Sequence, residues 1–459
     1  MKNIILFLLA LLLLSPYGNA FAQKDNVIRT NVPSRMKGQK DVIGLTVPAM
    51  DVVRVGFVGL GMRGPSAVDR WCHIPDTEIK ALCDVEKERV DNAQDILRKN
   101  GKAEAAAYSG SVDAYKEMCQ RKDIDLIYIC TDWVHHVPIA LYAMRHGKNV
   151  AIEVPAALTL KDIWSLIDMS ERTRKHCMML ENCVYDFFEM SALEMSRKGL
   201  FGEVIHTEGA YLHNLDEYWN EYWNNWRLDY NHKNRGDVYP THGLGPACQV
   251  MGIHRTDRMD YLVAVDTNPF NGPDIVERNT GSRCNDFKNG DQTTTVIRTV
   301  KGKTILIQHD VMTLRPYSRM YQIVGTDGYA SKYPVEQLLF RTDALRDSDV
   351  KADYDKLDAH SVLPDSIRDA MLEKYTPAYV KEIRDVAKKV GGHGGMDYIM
   401  DYRLAYCLHN GLPLDMDVYD MAEWCCPAEL TRISIENNSA PVEIPDFTRG
   451  ALEEAQVEK

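Results

Sequence analysis

The 459-residue sequence lacks the patterns that define several common protein classes. Eleven cysteines in a chain this long do not make a disulfide scaffold, and several of them lie in apolar runs, which predicts buried thiols. They form no Cys-x-x-Cys pair and no zinc spacing, so no metal site is predicted. It also lacks a basic excess. The formal net charge is −12, so nucleic acid and anionic membranes are disfavoured as partners. No internal repeat or low-complexity tract interrupts an ordinary globular composition.

Long apolar runs are confined to the N-terminus. Lys2 precedes an apolar core at residues 4–14, and Ala20-Phe21-Ala22 forms a small-x-small cleavage site, which is the pattern of a signal peptide cut near Ala22. The core is shorter than the ~20 residues that a membrane-spanning helix needs, which disfavours the alternative of a permanent anchor. No cysteine lies at the cut, so a lipid anchor is not indicated. We therefore expect a secreted or periplasmic protein with no membrane span after cleavage.

Between residues 51 and 180, short apolar runs alternate with longer mixed segments. The runs VVRVGFVG, EIKALCDV, DIDLIYICT and NVAIEVP have the composition of strands, and helix-forming segments, among them PIALYAMRHG from Pro138, separate them. Strands that alternate with helices predict βαβ units and a doubly wound parallel sheet that helices cover on both faces.

After residue 181 the apolar pattern changes to longer strands with polar alternation. The segment VIRTVKGKTILIQ predicts a hairpin around Lys301-Gly302-Lys303, and GEVIHTEGAYLH, DYLVAVDTN and RMYQIVGTDGYASKY predict further strands. The sequence therefore predicts an α/β protein: a signal peptide at 1–22, an extended N-terminal segment at 23–50, a parallel α/β domain at 51–180, and a second α/β domain with an open sheet at 181–459.

Gly59, Gly61 and Gly64 form a Gly-x-Gly-x-x-Gly pattern after the first predicted strand and before a helix. This context predicts a Rossmann dinucleotide-binding loop, in which the backbone approaches a pyrophosphate at a helix N-terminus. Asp84 follows the second strand, where a carboxylate binds the adenosine ribose and repels a 2′-phosphate, so NAD is favoured over NADP. A glycine-rich turn without a ligand is the alternative. The loop residues also expected to contact the cofactor are Met62 and Arg63.

Polar clusters follow the third and fourth predicted strands, at residues 131–136 and at Glu153-Val154-Pro155. Ligands of open parallel sheets bind outside the C-terminal ends of the strands, so both clusters are expected near the nicotinamide half of the cofactor. His135 and His136 are adjacent, and adjacent side chains rarely converge on one metal. Helix capping or ribose contact is therefore favoured for them.

Two further histidines stand in unusual contexts. Tyr239 and His242 lie in the predicted turn YPTHG, where an imidazole can transfer protons near neutral pH and a phenol can polarise a hydroxyl. Capping of a helix is the alternative for this pair. His393 has two glycines on each side, which predicts a mobile loop that delivers an imidazole. An exposed histidine in a flexible loop is the alternative for His393.

The motifs GFVGLGMRG, CTDWVHH, EVPAA, ENCVYDFFE, YPTHGLGP and GGHGGMD occur in this order between about residue 50 and about residue 435. Together they resemble glycoside hydrolase family 109, the NAD-dependent α-N-acetylgalactosaminidases of the Gfo/Idh/MocA superfamily. The resemblance implies a Rossmann domain followed by an α/β domain with an open, mainly antiparallel sheet. Val154 stands where ordinary superfamily members carry the lysine of Glu-Lys-Pro, which counts against a plain sugar dehydrogenase.

The resemblance also implies residue roles. His393 would act as acid to the leaving group and then as base for water, while His242 and Tyr239 would transfer protons or bind substrate; which side chain removes the C2 proton stays open. The implied nucleotide contacts are Met62, Arg63, Asp84, Trp133, Val134, His135, His136, Glu153, Val154 and Asn182. The implied sugar contacts are Tyr211, Arg227, Tyr239, Pro240, Thr241, His242 and Tyr321.

An exported enzyme cannot rely on NAD that diffuses to it, so a net oxidation would stop after one turnover. The family's redox-neutral cycle avoids this problem, because the sugar is oxidised at C3, loses its C2 proton and C1 substituent, gains water at C1 and is reduced again. The outcome is hydrolysis of terminal α-N-acetylgalactosamine with a tightly bound, recycled NAD. Related α-galactosides or β-linked sugars can follow the same chemistry, and the superfamily suggests a homodimer.

Two other functions stay open from the sequence. A periplasmic NAD-dependent sugar or inositol oxidoreductase would accumulate NADH in proportion to substrate. A sugar-binding protein that keeps only the fold would need neither His242 nor His393.

Overall fold

The computed structural model describes residues 26–354, 357–358 and 360–453. The signal peptide predicted at residues 1–22 lies outside these residues. Within the part of the chain that the structure describes, no helix is both long enough and apolar enough to cross a membrane.

The first half of the chain forms a six-stranded parallel sheet flanked by helices. Its strands are β1 (Val53–Val58), β2 (Thr77–Cys83), β3 (Ala106–Tyr108), β4 (Leu126–Ile129), β5 (Asn149–Ile152) and β6 (Cys177–Met179). Its helices are α1 (Gly64–Trp71), α2 (Lys87–Lys99), α3 (Tyr115–Gln120), α4 (Trp133–Arg145) and α5 (Leu160–Thr173). The strand order is β3-β2-β1-β4-β5-β6, so the winding reverses between β1 and β4, and ligands bind above such a switch point.

The buried central strands explain why the parallel sheet could be predicted. All four residues of β4 and of β5 are buried, as expected for strands covered by helices on both faces.

Residues 131–136 were expected at a strand end, but α4 already begins at Trp133, five residues before the Pro138 at which the sequence suggested a helix start. Asp132 is extended and its carboxylate bonds His135, so the polar cluster forms the first turn of this helix.

The second half forms an open sheet of eight strands. Its strands are β7 (Val204–Leu212), β8 (Met259–Asp266), β9 (Thr293–Thr299), β10 (Thr304–Asp310), β11 (Gln322–Gly325), β12 (Gly328–Ser331), β13 (Gln337–Phe340) and β14 (Val442–Glu443). Their order in the sheet is β13-β12-β11-β7-β10-β9-β8-β14. Neighbouring strands are antiparallel except for β7 and β10, so the predicted open, mainly antiparallel sheet is confirmed.

The predicted hairpin around residues 301–303 joins β9 to β10. The segment RMYQIVGTDGYASKY forms two antiparallel strands, because the chain turns at residues 326–327 between β11 and β12. The helices of this half are α6 (Phe187–Arg197), α7 (Trp226–Lys233), α8 (Thr241–Met251), α9 (Gly272–Thr280), α10 (Thr342–Asp347), α11 (Asp365–Tyr375), α12 (Ala378–Val390), α13 (Met396–Asn410), α14 (Val418–Cys425) and α15 (Pro427–Glu436).

Helix α8 lies unusually close to the second sheet, and this fixes the start of the helix. A Cβ on Gly209 of β7 would lie 2.1 Å from the carbonyl oxygen of Gly243, and a Cβ on Gly243 would lie 2.4 Å from the amide nitrogen of Ala210. Both positions therefore require glycine. The contact holds His242, in the first turn of α8, against the end of the sheet.

The N-terminal segment at residues 26–50 has mainly irregular backbone and contacts both halves of the chain. Ile28 forms a parallel bridge with Val442 of the second sheet. Arg35 pairs with the buried carboxylate of Glu171 in α5, which also accepts hydrogen bonds from Tyr419 and Arg449. The segment is therefore an integral part of the fold.

Candidate active site

A cavity of about 1100 Å³ lies above the C-terminal ends of β1, β2, β4 and β5. The residues that follow these strands line one side of the cavity, and side chains of the second half of the chain, including Tyr211, Arg227, His242 and His393, line the other. The cavity therefore lies at the switch point of the parallel sheet, where a ligand can contact both halves of the chain.

The glycine-rich loop at the floor of the cavity has a conformation that side chains would block. Gly59 has a φ of +89°, and a Cβ there would lie 2.6 Å from the carbonyl group of Cys130. A Cβ on Gly64 would lie 2.1 Å from the carbonyl oxygen of Gly59. Gly61 differs, because a Cβ there would meet only the side chain of Arg89 at 3.4 Å. Helix α1 begins directly after the loop without a side-chain cap, so its first amides are available to a phosphate.

Gly61→Ala tests whether this loop holds the nucleotide. The new methyl group has room in the folded protein but occupies space that a pyrophosphate needs, so we expect an unchanged Tm and a loss of NAD affinity of about tenfold or more. Nucleotide released from denatured protein and NAD titration of stripped protein measure the effect. Gly64→Ala is the comparison, since its clash with the backbone should lower the Tm as well. Equal NAD affinity in wild type and Gly61→Ala would contradict the assignment.

Asp84 connects the end of β2 to this loop. Its Oδ2 atom accepts a hydrogen bond from the amide of Leu60 at 2.6 Å, and Oδ1 accepts one from the amide of Glu86 at 2.9 Å. The side chain also lines the cavity. Arg89 and Trp223 lie at this end and were not predicted from the sequence; the Arg89 guanidinium carbon lies 5.5 Å from the centre of the Trp223 ring. A side chain from each half thus closes the adenosine end.

A buried carboxylate, Asp397, organises the opposite end. It contacts Arg63 at 3.1 Å and Arg70 at 3.6 Å, and it accepts a hydrogen bond from Asn182 at 2.5 Å. Burial alone would raise the pKa of Asp397, but the hydrogen bond from His393 and the charges of Arg63 and Arg70 lower this pKa well below its ordinary value. Asp397 is therefore a permanent anion at neutral pH.

His393 is held by this anion. Its Nδ1 atom lies 2.9 Å and 3.1 Å from the two carboxylate oxygens of Asp397, and the half-exposed imidazole lines the cavity. With Nδ1 engaged, Nε2 is the nitrogen left for proton transfer. The carboxylate and the imidazole thus have the arrangement by which catalytic triads orient a histidine.

The glycines around His393 have a steric reason that the sequence did not reveal. All four have positive φ angles, and a Cβ on Gly392 would lie 2.6 Å from Cβ of Asp397. A Cβ on Gly395 would lie 3.0 Å from the backbone of Ala387 in α12. The glycines form the tight turn that places His393 beside Asp397, rather than only a flexible connection.

His242 forms a second carboxylate–imidazole pair. Its Nδ1 atom lies 2.7 Å from Oε1 of the fully buried Glu181, and its Nε2 atom lies 3.4 Å from the phenol oxygen of Tyr239. Burial alone would raise the pKa of Glu181, but His242 and the amide of Cys183 lower it below its ordinary value. Glu181 is therefore an anion that fixes the orientation of His242 towards Tyr239.

A wall of aromatic side chains surrounds the buried guanidinium of Arg227. Its Cζ atom lies 5.2 Å from the ring centre of Trp133, 5.7 Å from Tyr211, 5.1 Å from Tyr222 and 4.8 Å from Tyr239. Its Nη1 atom donates a hydrogen bond to the phenol oxygen of Tyr222 at 2.5 Å. Among the described residues, no carboxylate pairs with this cation. Arg227 can therefore donate to an oxygen of a ligand in the cavity.

His213 and Tyr317 are cavity residues that the sequence did not reveal. The phenol oxygen of Tyr211 lies 2.8 Å from Nδ1 of His213. Burial and the positive charge of Arg227 lower the pKa of His213 to about 4, so this imidazole is neutral at pH 7. His213 follows Tyr211 by two positions, directly after β7. Residues two apart in an extended chain point to the same side, so this spacing could have identified His213 as a neighbour of Tyr211.

Most of the predicted site residues line the cavity. They are Gly59, Gly61, Met62, Arg63, Asp84, Trp133, His135, His136, Glu153, Val154, Asn182, Tyr211, Arg227, Tyr239, His242 and His393.

Five predicted residues do not line it. Gly64 is the first residue of α1, and the Val134 side chain is 62% exposed at the surface of α4. Pro240 precedes α8, and Thr241 is the first residue of this helix. Tyr321 is 2% exposed and packs against Phe188. In this segment the side chain that reaches the cavity belongs to Tyr317, so the structure does not bring Tyr321 to the site.

Two family models match the chain. Residues 53–181 match the model "Oxidoreductase family, NAD-binding Rossmann fold", and residues 185–454 match "Glycosyl hydrolase 109, C-terminal domain". The first matched region contains the parallel sheet and the glycine loop, and the second contains the open sheet with Arg227, His242 and His393.

Similar proteins carry the same family name. "Glycosyl hydrolase family 109 protein 1" of Bacteroides fragilis (strain YCH46) is 62% identical over 450 residues, which cover 98% of this chain and 97% of the relative. "Glycosyl hydrolase family 109 protein" of Porphyromonas gingivalis is 63% identical over 423 residues, which cover 92% of this chain and 90% of the relative.

Solved structures share the fold at low identity. A levoglucosan dehydrogenase in complex with NADH and L-sorbose aligns with a TM-score of 0.64 at 17% identity, covering 86% of this chain and 100% of that one. The myo-inositol dehydrogenase of Lactobacillus casei, in complex with NAD(H) and myo-inositol, aligns with a TM-score of 0.56 at 15% identity, covering 86% and 99%. The chain therefore belongs to glycosyl hydrolase family 109, the NAD-dependent glycosidases built on the Gfo/Idh/MocA fold.

Proposed function

We propose that this protein hydrolyses terminal α-N-acetylgalactosamine from glycans by a redox-neutral cycle that uses a tightly bound NAD. The observation that carries the proposal is the convergence of two histidines, each held by a buried carboxylate, on the cavity whose floor is the glycine loop. A plain dehydrogenase reaction needs proton transfer at one hydroxyl. Two separate acid–base groups suit a reaction in which protons also move at the leaving group and at water.

The residues at the floor of the cavity fit NAD. The loop has space in front of Gly61 for a pyrophosphate, the first turn of α1 lacks a cap, and Asp84 provides the acidic side chain for an adenosine ribose. When bound, NAD supplies reversible oxidation at C3 of the sugar, which makes the C2 proton acidic. The contact between Arg89 and Trp223 closes the adenosine end and supports retention of the cofactor between turnovers.

We assign the proton transfers at the adjacent carbons C2 and C3 to Tyr239 and His242. Val154 occupies the position of the superfamily's catalytic lysine and has no ionisable group, so another side chain must take the C3 hydroxyl proton. Tyr239, His242 and Glu181 form a continuous path, with 3.4 Å between the phenol and the imidazole and 2.7 Å between the imidazole and the carboxylate. This path can take up a proton and return it within one turnover.

We assign the transfers at C1 to His393. Its half-exposed imidazole is more accessible than that of His242, which suits contact with a leaving group and then with water. In this assignment, protonated His393 donates to the departing oxygen, and the neutral imidazole then removes a proton from the water that adds at C1. The carboxylate of Asp397, 2.9 Å from Nδ1, holds the ring in one orientation during both steps.

The aromatic wall supports a sugar as the substrate. Trp133, Tyr211 and Tyr239 provide ring faces for a pyranose, and Arg227 provides a charged donor without a carboxylate partner among the described residues. We propose that Arg227 donates to the acetamido carbonyl of N-acetylgalactosamine. The N-terminal sequence supports secretion or a periplasmic location, where a recycled cofactor is an advantage.

The proposal predicts that the purified protein contains bound NAD and cleaves p-nitrophenyl α-N-acetylgalactosaminide without added cofactor. A panel that includes the α-galactoside and the β-N-acetylgalactosaminide measures the anomeric and C2 preference. Accumulation of NADH in proportion to substrate, without release of nitrophenol, would instead establish a sugar oxidoreductase. A preparation without nucleotide and without glycosidase activity would contradict the proposal.

A further inference from the structure

A cluster of three potential metal ligands, His232, Cys284 and Asp286, lies outside the residues that line the catalytic cavity. The ligand atoms of these three side chains all lie within 4.8 Å of one another. Nε2 of His232 lies 2.7 Å from Oδ1 of Asp286. His232 is in the last turn of α7, while Cys284 and Asp286 belong to the loop that follows α9, so two separate segments meet here.

The loop is fixed against α7 by contacts that do not use the three proposed ligand atoms. The amide of Lys288 donates to the carbonyl of His232 at 3.0 Å, and the side chain of the buried Asn289 donates to that of Asn231 at 2.7 Å. The ring of Phe287 stacks on the imidazole of His232, with 5.5 Å between the centres and 6° between the planes. The imidazole and the loop are therefore held in place before any ion binds.

Cys284 is the exception among the cysteines. All eleven lie in the described part of the chain, and ten of them are buried, whereas Cys284 is partly exposed. A partly exposed thiol beside an imidazole and a carboxylate is open to a metal ion in solution. Thiolate and imidazole select zinc-like transition metals, whereas Mg²⁺ and Ca²⁺ prefer oxygen ligands alone.

We propose that His232, Cys284 and Asp286 bind a divalent transition metal of the zinc class, with a water molecule as the fourth ligand. The thiolate and the carboxylate balance the two positive charges of the ion, and the thiol proton is released on binding. Metal–ligand bonds of about 2.0–2.3 Å place tetrahedral ligand atoms roughly 3.3–3.8 Å apart. Binding therefore opens the 2.7 Å contact between His232 and Asp286 and closes any wider separation within the 4.8 Å cluster.

The site would join the end of α7 to the loop after α9. The same helix begins with Trp226 and Arg227, and both of these residues line the catalytic cavity. A bound ion would therefore stabilise the helix that carries Trp226 and Arg227 into the cavity. The proposal does not depend on the glycosidase assignment, because its tests measure metal binding and thiol reactivity.

Thiol reactivity tests the site directly. In native, chelator-treated protein, a disulfide reagent such as DTNB is expected to modify one thiol rapidly, and Cys284→Ser should remove this reaction. One equivalent of Zn²⁺ should slow the modification by about tenfold or more, and the same concentration of Mg²⁺ should leave it unchanged. The Zn²⁺ content after dialysis should be one ion per chain.

The ligand variants complete the test. His232→Gln and Asp286→Asn should weaken Zn²⁺ binding by about tenfold or more, whereas His146→Gln, which removes an exposed histidine directly after α4, should bind as the wild type does. The proposal is overturned if Zn²⁺ leaves the reactive thiol of the wild type unprotected, a result that needs no variant. It is also overturned if Cys284→Ser retains the full Zn²⁺ affinity, since the ion would then occupy another cluster, such as Glu181, Cys183 and His242.

Discussion

His242→Ala is expected to lower kcat for the α-N-acetylgalactosaminide by about 10²–10⁴-fold, while the protein keeps its bound NAD. The imidazole of His242 contacts Tyr239 through Nε2 and the buried anion of Glu181 through Nδ1, so its loss interrupts the proton path at C2 and C3. Steady-state kinetics and the nucleotide content of the same preparation measure the two effects.

Glu181→Gln separates proton transfer from binding. The amide keeps the size of the side chain but removes the charge that holds the imidazole, so kcat should fall strongly and KM should change little. His146→Gln is again the matched control, because it removes an exposed histidine outside the cavity. Activity of His242→Ala within about threefold of the wild type would contradict the assigned role.

Asp397→Asn is expected to reduce both stability and activity. The substitution leaves the buried Arg70 and the partly buried Arg63 without one of their counter-ions, and breaking a buried ion pair costs about 3–5 kcal/mol. His393 also loses the anion that fixes its Nδ1 atom, so leaving-group protonation should slow by about tenfold or more. Chemical denaturation and kinetics with the nitrophenyl substrate measure the two losses.

The pH dependence of this effect has a definite sign. The folded-state pKa of Asp397 lies below its ordinary value of 3.8, so its stabilisation is fully present above about pH 5 and is lost as the pH falls below about 4. The stability difference between wild type and Asp397→Asn should therefore shrink in acid.

The control for this substitution is Asp415→Asn. Asp415, which follows α13, pairs with Arg403 of that helix, and its side chain is 29% exposed, so water screens this pair more than it screens the pairs of the buried Asp397. We expect a small loss of stability and wild-type activity for the control. Equal effects of the two substitutions would contradict the role assigned to Asp397.

The sequence predicted the parallel sheet because its central strands are continuous apolar runs, and β4 and β5 are indeed buried throughout. It did not predict β3, since three residues at the edge of the sheet carry too little pattern. It placed the start of α4 at Pro138, whereas the helix begins at Trp133 and continues through this proline. The mainly antiparallel order of the second sheet followed from the alternation and the family resemblance.

The candidate site could be predicted where its residues lie in local motifs. Gly59, Gly61 and Asp84 belong to one unit of strand, loop, helix and strand. His242 and His393 lie in the recognisable segments YPTHG and GGHGG. The partners of the histidines were missed. Glu181 is 61 positions from His242, and only the packing of α8 against the turn after β6 brings them together.

Asp397 is a different case, because a local signal existed. It follows His393 by four positions at the start of α13, a spacing at which helical neighbours meet. The four glycines around His393 led to the prediction of a mobile loop, but their positive φ angles form the turn that places His393 beside Asp397. Tyr321 was chosen where Tyr317 lines the cavity, since the backbone between β10 and β11 cannot be derived from a strand pattern.

The most direct test of the redox-neutral mechanism is hydrolysis of an α-N-acetylgalactosaminide in deuterated water without added NAD. If the C2 proton leaves and returns in each turnover, the released N-acetylgalactosamine carries deuterium at C2, which NMR or mass spectrometry detects. Complete hydrolysis to a sugar that keeps its original C2 hydrogen would contradict the mechanism and require direct displacement at C1.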